Sequence, residues 1–116
     1  MKYLLLIYEA EKIWASLSKE EQGSIFNEYV AVGEDFAKSG RMTACEALEP
    51  TSTATTLRVR DGKPTCVDGP FAETKEQLGG FYLIDVKDLD EALAWAARIP
   101  AARTGSIEIR SVMKVD

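Results

Sequence analysis

The chain opens on an unbroken apolar run, Tyr3-Leu4-Leu5-Leu6-Ile7-Tyr8. A segment apolar on both alternating faces predicts a strand in the middle of a sheet. Ser18-Lys19-Glu20-Glu21 carries the signature of a capping box, in which the Ser18 hydroxyl accepts from the Glu21 amide and the Glu21 carboxylate reaches back. Behind it Ile25, Phe26, Tyr29, Val30, Phe36 and Ala37 recur at spacings of three and four. That periodicity predicts one helix from Lys19 to Ser39, buried along this stripe and ended by a left-handed Gly40.

Arg41 to Leu48 reads as a strand closed by Glu49-Pro50, and Thr53 to Arg60 as a better one, because Thr and Val suit a pleated surface. Asp61-Gly62 predicts a hairpin turn into a short return strand through Thr65-Cys66-Val67, which Pro64 marks as an edge. Leu78 to Val86 is a second strand apolar on both faces, with Phe81 and Leu83 opposite Tyr82, Ile84 and Val86. Asp88 predicts the cap of a second helix, buried through Leu89, Ala92, Leu93 and Ala96 and stopped by Pro100. Ser106 to Val115 is the last strand, with Ile107, Ile109, Met113 and Val115 on one face.

This order predicts an α+β, ferredoxin-like βαββαβ sandwich with an extra hairpin strand, in a single domain over residues 1–116. Two helices cover one face of such a sheet. The apolar second face then requires a partner, and a homodimer burying it at ~25 cal/mol per Å² is the expected solution.

Composition narrows the chemistry. The 46% hydrophobic and 28% charged residues describe a folded chain rather than a disordered one. A net charge of -5 argues against direct nucleic-acid binding through a broad basic face. No stretch approaches the ~20 apolar residues of a membrane span. Glu9 follows the opening run too soon for a signal peptide, so a cytoplasmic location is expected. The chain has no His, and its two cysteines, Cys45 and Cys66, have no CxxC spacing. No metal site and no cofactor are therefore expected, and Ser-His-Asp and Cys-His catalysis are excluded. Reduced core thiols are the expectation for both cysteines.

The segment Asp68-Gly69-Pro70-Phe71-Ala72-Glu73-Thr74-Lys75-Glu76-Gln77-Leu78-Gly79-Gly80-Phe81 concentrates turn formers, charge and glycine. It resembles the motif of the DGPF family within the YCII-related superfamily. The likeness continues through Ala54-Thr55-Thr56-Leu57-Arg58-Val59-Arg60-Asp61-Gly62, Asp90-Glu91-Ala92-Leu93-Ala94-Trp95-Ala96 and Gly105-Ser106-Ile107-Glu108-Ile109-Arg110. The resemblance implies a bacterial protein with a ferredoxin-like fold of dimeric α/β-barrel type, and a regulatory link to alternative sigma factors. Enzymatic members of the superfamily carry a His in the first helix and an Asp before a Pro after the second. Here Tyr29 and Ile99 stand at those positions, so that pair's chemistry is not carried over.

Asp68 is the candidate acid or base, a carboxylate beside a Gly-Pro turn with Phe71 near; its alternative role is to cap its own turn. Arg58 and Arg60, on one strand face, would hold an anion, or pair across strands with Glu46, Glu49 or Glu108. Glu73 and Lys75, with Glu76, would rim a pocket or form a solvated loop. Tyr8, Trp14 and Tyr82 would wall a pocket between sheet and hairpin, or belong to core and interface. Gly79-Gly80 is no phosphate loop, since it leads into a strand; it predicts a bulge or a close backbone approach. Two functions follow: a small-molecule-binding protein or cofactor-free enzyme with its pocket near the DGPF segment, or an accessory module whose partner is related to a sigma factor.

Overall fold

The computed structural model describes residues 1–115. Strand β1 (Lys2–Glu9) is followed by helices α1 (Glu11–Ser16) and α2 (Lys19–Ser39), and then by β2 (Met42–Ala47). A 3-10 turn at Thr51–Thr53 leads to the hairpin β3 (Thr55–Arg60) and β4 (Lys63–Asp68). Strand β5 (Gln77–Asp85), helix α3 (Leu89–Ala96), a 3-10 turn at Pro100–Ala102 and β6 (Ser106–Ser111) complete the chain.

The main sheet is antiparallel in the order β2-β5-β1-β6, so the two doubly apolar strands are the central pair. That strand order, with two longer helices against the sheet, matches the expected βαββαβ arrangement in part. The hairpin β3–β4 forms a second sheet of its own. The expected α/β-barrel is corrected by this topology. Both sheets are open among the described residues: β2 and β6 each leave an outer edge, and the hairpin strands pair with each other alone. Four strands are too few to curl round to their own edge, and the hairpin does not bridge the gap.

Helix α2 begins and ends as its sequence dictates. The Ser18 hydroxyl accepts from the Glu21 amide at 3.1 Å, the Glu21 carboxylate accepts from the Ser18 amide at 3.0 Å, and Gly40 closes the helix at φ 69°. The Ser18 amide holds the Glu21 carboxyl below its usual range. The buried stripe differs from the expected one. Val32 and Phe36 are buried, Ile25 and Tyr29 half-buried, and Phe26, Val30 and Ala37 exposed. On α3, capped by Asp88, Ala92 and Ala96 face the sheet while Leu89 and Leu93 are exposed. Trp95 of the same helix packs against the core beside the two alanines.

The core lies between helices and sheet. Tyr3, Leu5, Tyr82, Ile84 and Val86 supply the strand side, and Phe36 stacks on both Trp95 and Tyr82, with centroids 4.0 and 5.2 Å apart. Leu4, Leu6, Phe81 and Leu83 alternate to the opposite face and stay half-buried. Strand β6 stops at Ser111, and Met113 and Val115 are exposed rather than on a strand face.

Two glycine positions follow from backbone geometry. Asp61 and Gly62, at φ 53° and 75°, form the tight hairpin turn. A Cβ on Gly80 would sit 2.7 Å from the Glu46 carbonyl oxygen, so β5 reaches β2 here only as glycine. The β1–β5 register shifts between Ile7 and Tyr8, where Gly79 is the unmatched residue. The bulge and the close approach expected at Gly79-Gly80 are both present.

Candidate functional site

At the end of the sheet where β1 and β5 carry Ile7, Gly80 and Tyr82, helix α2 does not close on the strands. A cavity of about 600 Å³ opens there. Its outer wall comes from α1 and the residues after it, through Ile13, Trp14 and Leu17. Helix α2 adds Ile25, Phe26 and Tyr29, and strand β2 adds Cys45 and Ala47. The position of the bulky residues explains the void: Phe36 fills the deep end of the core, whereas glycine at 80 and alanine at 47 leave the near end open.

Helix α1 has no buried residue of its own, so polar contacts hold it in place. The Glu11 amide donates to Gln77 Oε1 at 2.9 Å, and Gln22 Nε2 donates to the Trp14 carbonyl at 2.9 Å. The Glu11 carboxylate accepts the Thr51 hydroxyl at 2.6 Å.

Most polar groups of the wall gather at one end, where Glu9, Glu11, Gln77, Tyr29, Arg103 and Thr104 line the cavity; Glu46 of β2 lines it as well. Glu9 accepts the Thr104 hydroxyl, and Arg103 pairs with Glu28 at 2.5 Å. Burial, then the Glu9 charge, raises the Tyr29 phenol above its usual range; a backbone hydrogen bond at Ala101 and the Arg103 charge oppose them. Burial, with smaller contributions from Tyr29 and Cys45, pushes Tyr82 up to about 12. Both phenols are protonated at neutral pH and available as hydrogen-bond donors.

Of the residues singled out in the sequence, Tyr82 and Trp14 line this cavity. It lies between sheet and helices, not between sheet and hairpin. Tyr8, on β1, sits opposite Leu78 of β5 and Ser106 of β6, on the face away from Tyr82. Asp68 ends β4, exposed and opposite Thr55. Its turn is held by the Gly69 amide donating to Ala54 O at 2.7 Å and the Thr56 hydroxyl donating to Gly69 O at 2.8 Å. Arg58 and Phe71 do come together, Arg58 Nη2 donating to the Phe71 carbonyl at 3.3 Å, with the Phe71 ring 75% exposed. Arg60 Nη1 donates to the carbonyl of Val59. Neither arginine forms an ion pair among the described residues; Glu108 pairs with Arg110 instead. Glu73 and Lys75 are exposed, and Glu76 accepts from the Ser106 hydroxyl. Cys45 and Cys66 are free but exposed, not core thiols.

Glu9, Glu11, Gln77, Arg103 and Thr104 come from three separate stretches and carry no shared motif. Sequence reasoning named Trp14 but passed over the helical spacing of Ile13, Trp14 and Leu17 directly after Glu11, the signal of helix α1. Tyr29 lines the cavity together with Pro100 and Ala101, while Ile99 is fully buried. Among the described residues no group of three or more His, Cys, Asp or Glu side chains could hold a metal ion, and no helix is long and apolar enough to cross a membrane.

Fold and site thus define an open-sheet α+β domain with an aromatic-walled cavity under a short helix. The chain belongs to the YCII-related domain family, whose model matches residues 1–116. It is 44% identical over 112 residues to an uncharacterized protein of Rhizobium meliloti (strain 1021), covering 95% of this chain and 90% of that one.

Proposed function

We propose that this protein binds a small, largely apolar molecule in the cavity beneath α1, and that it does so as a homodimer of the DGPF branch of its family. The observation that carries the reading is the cavity itself. A space of about 600 Å³ is within the range of ligand sites, and aromatic walls with polar groups gathered at one end are what such sites use for affinity and orientation.

The test is titration with N-phenyl-1-naphthylamine, a neutral fluorescent probe, against wild type and Cys45→Phe. Cys45 lies on the wall beside Tyr82, and a phenyl group there fills space without removing a packed side chain. Saturable binding by wild type and its loss in a Cys45→Phe protein of unchanged circular dichroism is the expected result. Equal binding by both would remove the cavity from the account.

The dimer rests on two apolar faces that one chain leaves open. Leu4, Leu6, Phe81 and Leu83 share the outer face of the sheet, and Leu57, Val59, Pro64 and Cys66 share one exposed face of the hairpin. An isolated hairpin is marginal in water, so its apolar side needs a cover, and a second copy supplies both surfaces reciprocally. Sedimentation at micromolar concentration should give a dimer, and Leu57→Lys/Val59→Lys should weaken it. The exposed hairpin face also favours a second reading, a partner related to alternative sigma factors; a monomer that captures such a factor would replace the dimer by that reading.

A further inference from the structure

The cavity's charge selects among ligands. Glu9 and Glu11 line its polar end, both half-buried, and neither forms an ion pair among the described residues. Their hydrogen bonds come from neutral donors: the Thr104 hydroxyl for Glu9, and the Thr51 hydroxyl and amide for Glu11. The one cationic side chain on the wall, Arg103, is engaged with Glu28. Half-buried carboxylates without a cation are costly to leave so, and each retains lone pairs for a further donor. Trp14, Phe26, Tyr29 and Tyr82 add ring surfaces, whose faces attract positive charge. An anionic ligand would meet the carboxylates of Glu9 and Glu11, with Glu46 of β2 also on the wall, and no free positive charge among the described residues.

Building on the cavity reading, we propose that the ligand is an organic cation: a protonated amine carrying an apolar or aromatic body, its ammonium group placed at Glu9 and Glu11 and its body between Trp14 and Tyr82. Glu9 and Glu11 set the charge of the ligand, and the rings accommodate its bulk.

A matched series separates charge from bulk. 4-Phenylbutylamine, 4-phenylbutanol and 4-phenylbutyrate share one body and differ in their heads. Calorimetric titration of the wild-type protein at neutral pH should show the amine binding about tenfold or more tighter than the alcohol, as charge-assisted hydrogen bonds and ring contacts to a cation require, with the carboxylate weakest. Glu9→Gln/Glu11→Gln should bring the ratio of amine to alcohol affinity to about one, a ratio that any common loosening of the α1 wall leaves untouched, and a circular dichroism spectrum and melting transition like those of wild type show that the variant is folded. Equal binding of all three heads, tighter binding of the carboxylate, or an amine preference that survives the double substitution would each overturn the cation assignment with the cavity reading intact. If none of the three binds and N-phenyl-1-naphthylamine also fails to distinguish wild type from Cys45→Phe, the cavity reading falls and the cation assignment with it.

Discussion

The Glu11 carboxylate and Thr51, 40 residues apart, are joined by the Thr51 hydroxyl at 2.6 Å and the Thr51 amide at 3.2 Å to each carboxylate oxygen. The bond ties helix α1, none of whose residues is fully buried, to the turn that precedes the hairpin. The outer wall of the cavity is therefore held by polar bonds as well as by its half-buried Ile13 and Leu17.

Thr51→Val removes the hydroxyl and keeps the shape. It should cost about 1 kcal/mol, and hydrogen exchange should localise the effect as faster exchange through α1 with little change in β1 or β5. Weaker binding of the naphthylamine probe should accompany it. Uniform acceleration across the protein would instead mark Thr51 as part of the global core.

Phe36 is fully buried between Trp95 and Tyr82. Phe36→Ala should destabilise by about 3–5 kcal/mol, the usual range for truncating a core aromatic. Urea unfolding followed by Trp95 fluorescence and near-ultraviolet circular dichroism measures it. A smaller loss would mean that α2 collapses into the void.

Gly80→Ala places a methyl 2.7 Å from Glu46 O, whereas Gly79→Ala meets Ile7 O only at 4.0 Å. The first should cost about 1–3 kcal/mol through strain between β2 and β5; the second should stay within about 0.5 kcal/mol. Similar midpoints for the two in urea would contradict the geometry.

Raised phenol pKa values make stability fall in alkali. Tyr82 is pushed up to about 12 and Tyr29 is raised too, both chiefly by burial. Below about pH 10 the phenols are protonated in folded and unfolded chains alike, and stability is independent of them. From there up to about 12 the unfolded chain releases its protons first, so the folded state holds more protons and stability drops as pH rises. The melting temperature should decline over this window, more gently in Tyr82→Phe, and tyrosinate absorbance at alkaline pH should lag behind that of free tyrosine.

Much of the architecture was legible because its signals are local. The capping box at Ser18–Glu21, the Asp61-Gly62 turn and the Gly79-Gly80 irregularity depend on neighbours in sequence, and each appears where it was expected. Burial was less legible. Phe26 and Val30 lie on the expected stripe of α2 but are left exposed beside Tyr29 and Val32, which meet the core, and α3 turns its alanines inward and its leucines out. Periodicity finds a helix face; the distance between layers decides which residues on it are covered.

The sequence by itself determined the order of the strands and of the two longer helices, though not α1, the central position of β1 and β5, and the lack of His from which Ser-His-Asp and Cys-His catalysis are excluded. These follow from local propensity and residue chemistry. Only the tertiary structure decided that the sheets stay open, that the hairpin stands apart, and that Glu9, Glu11, Tyr29 and Arg103 meet at one end of an aromatic cavity. That meeting depends on where α2 fails to close on the strands, and no spacing along the chain encodes a space left between layers.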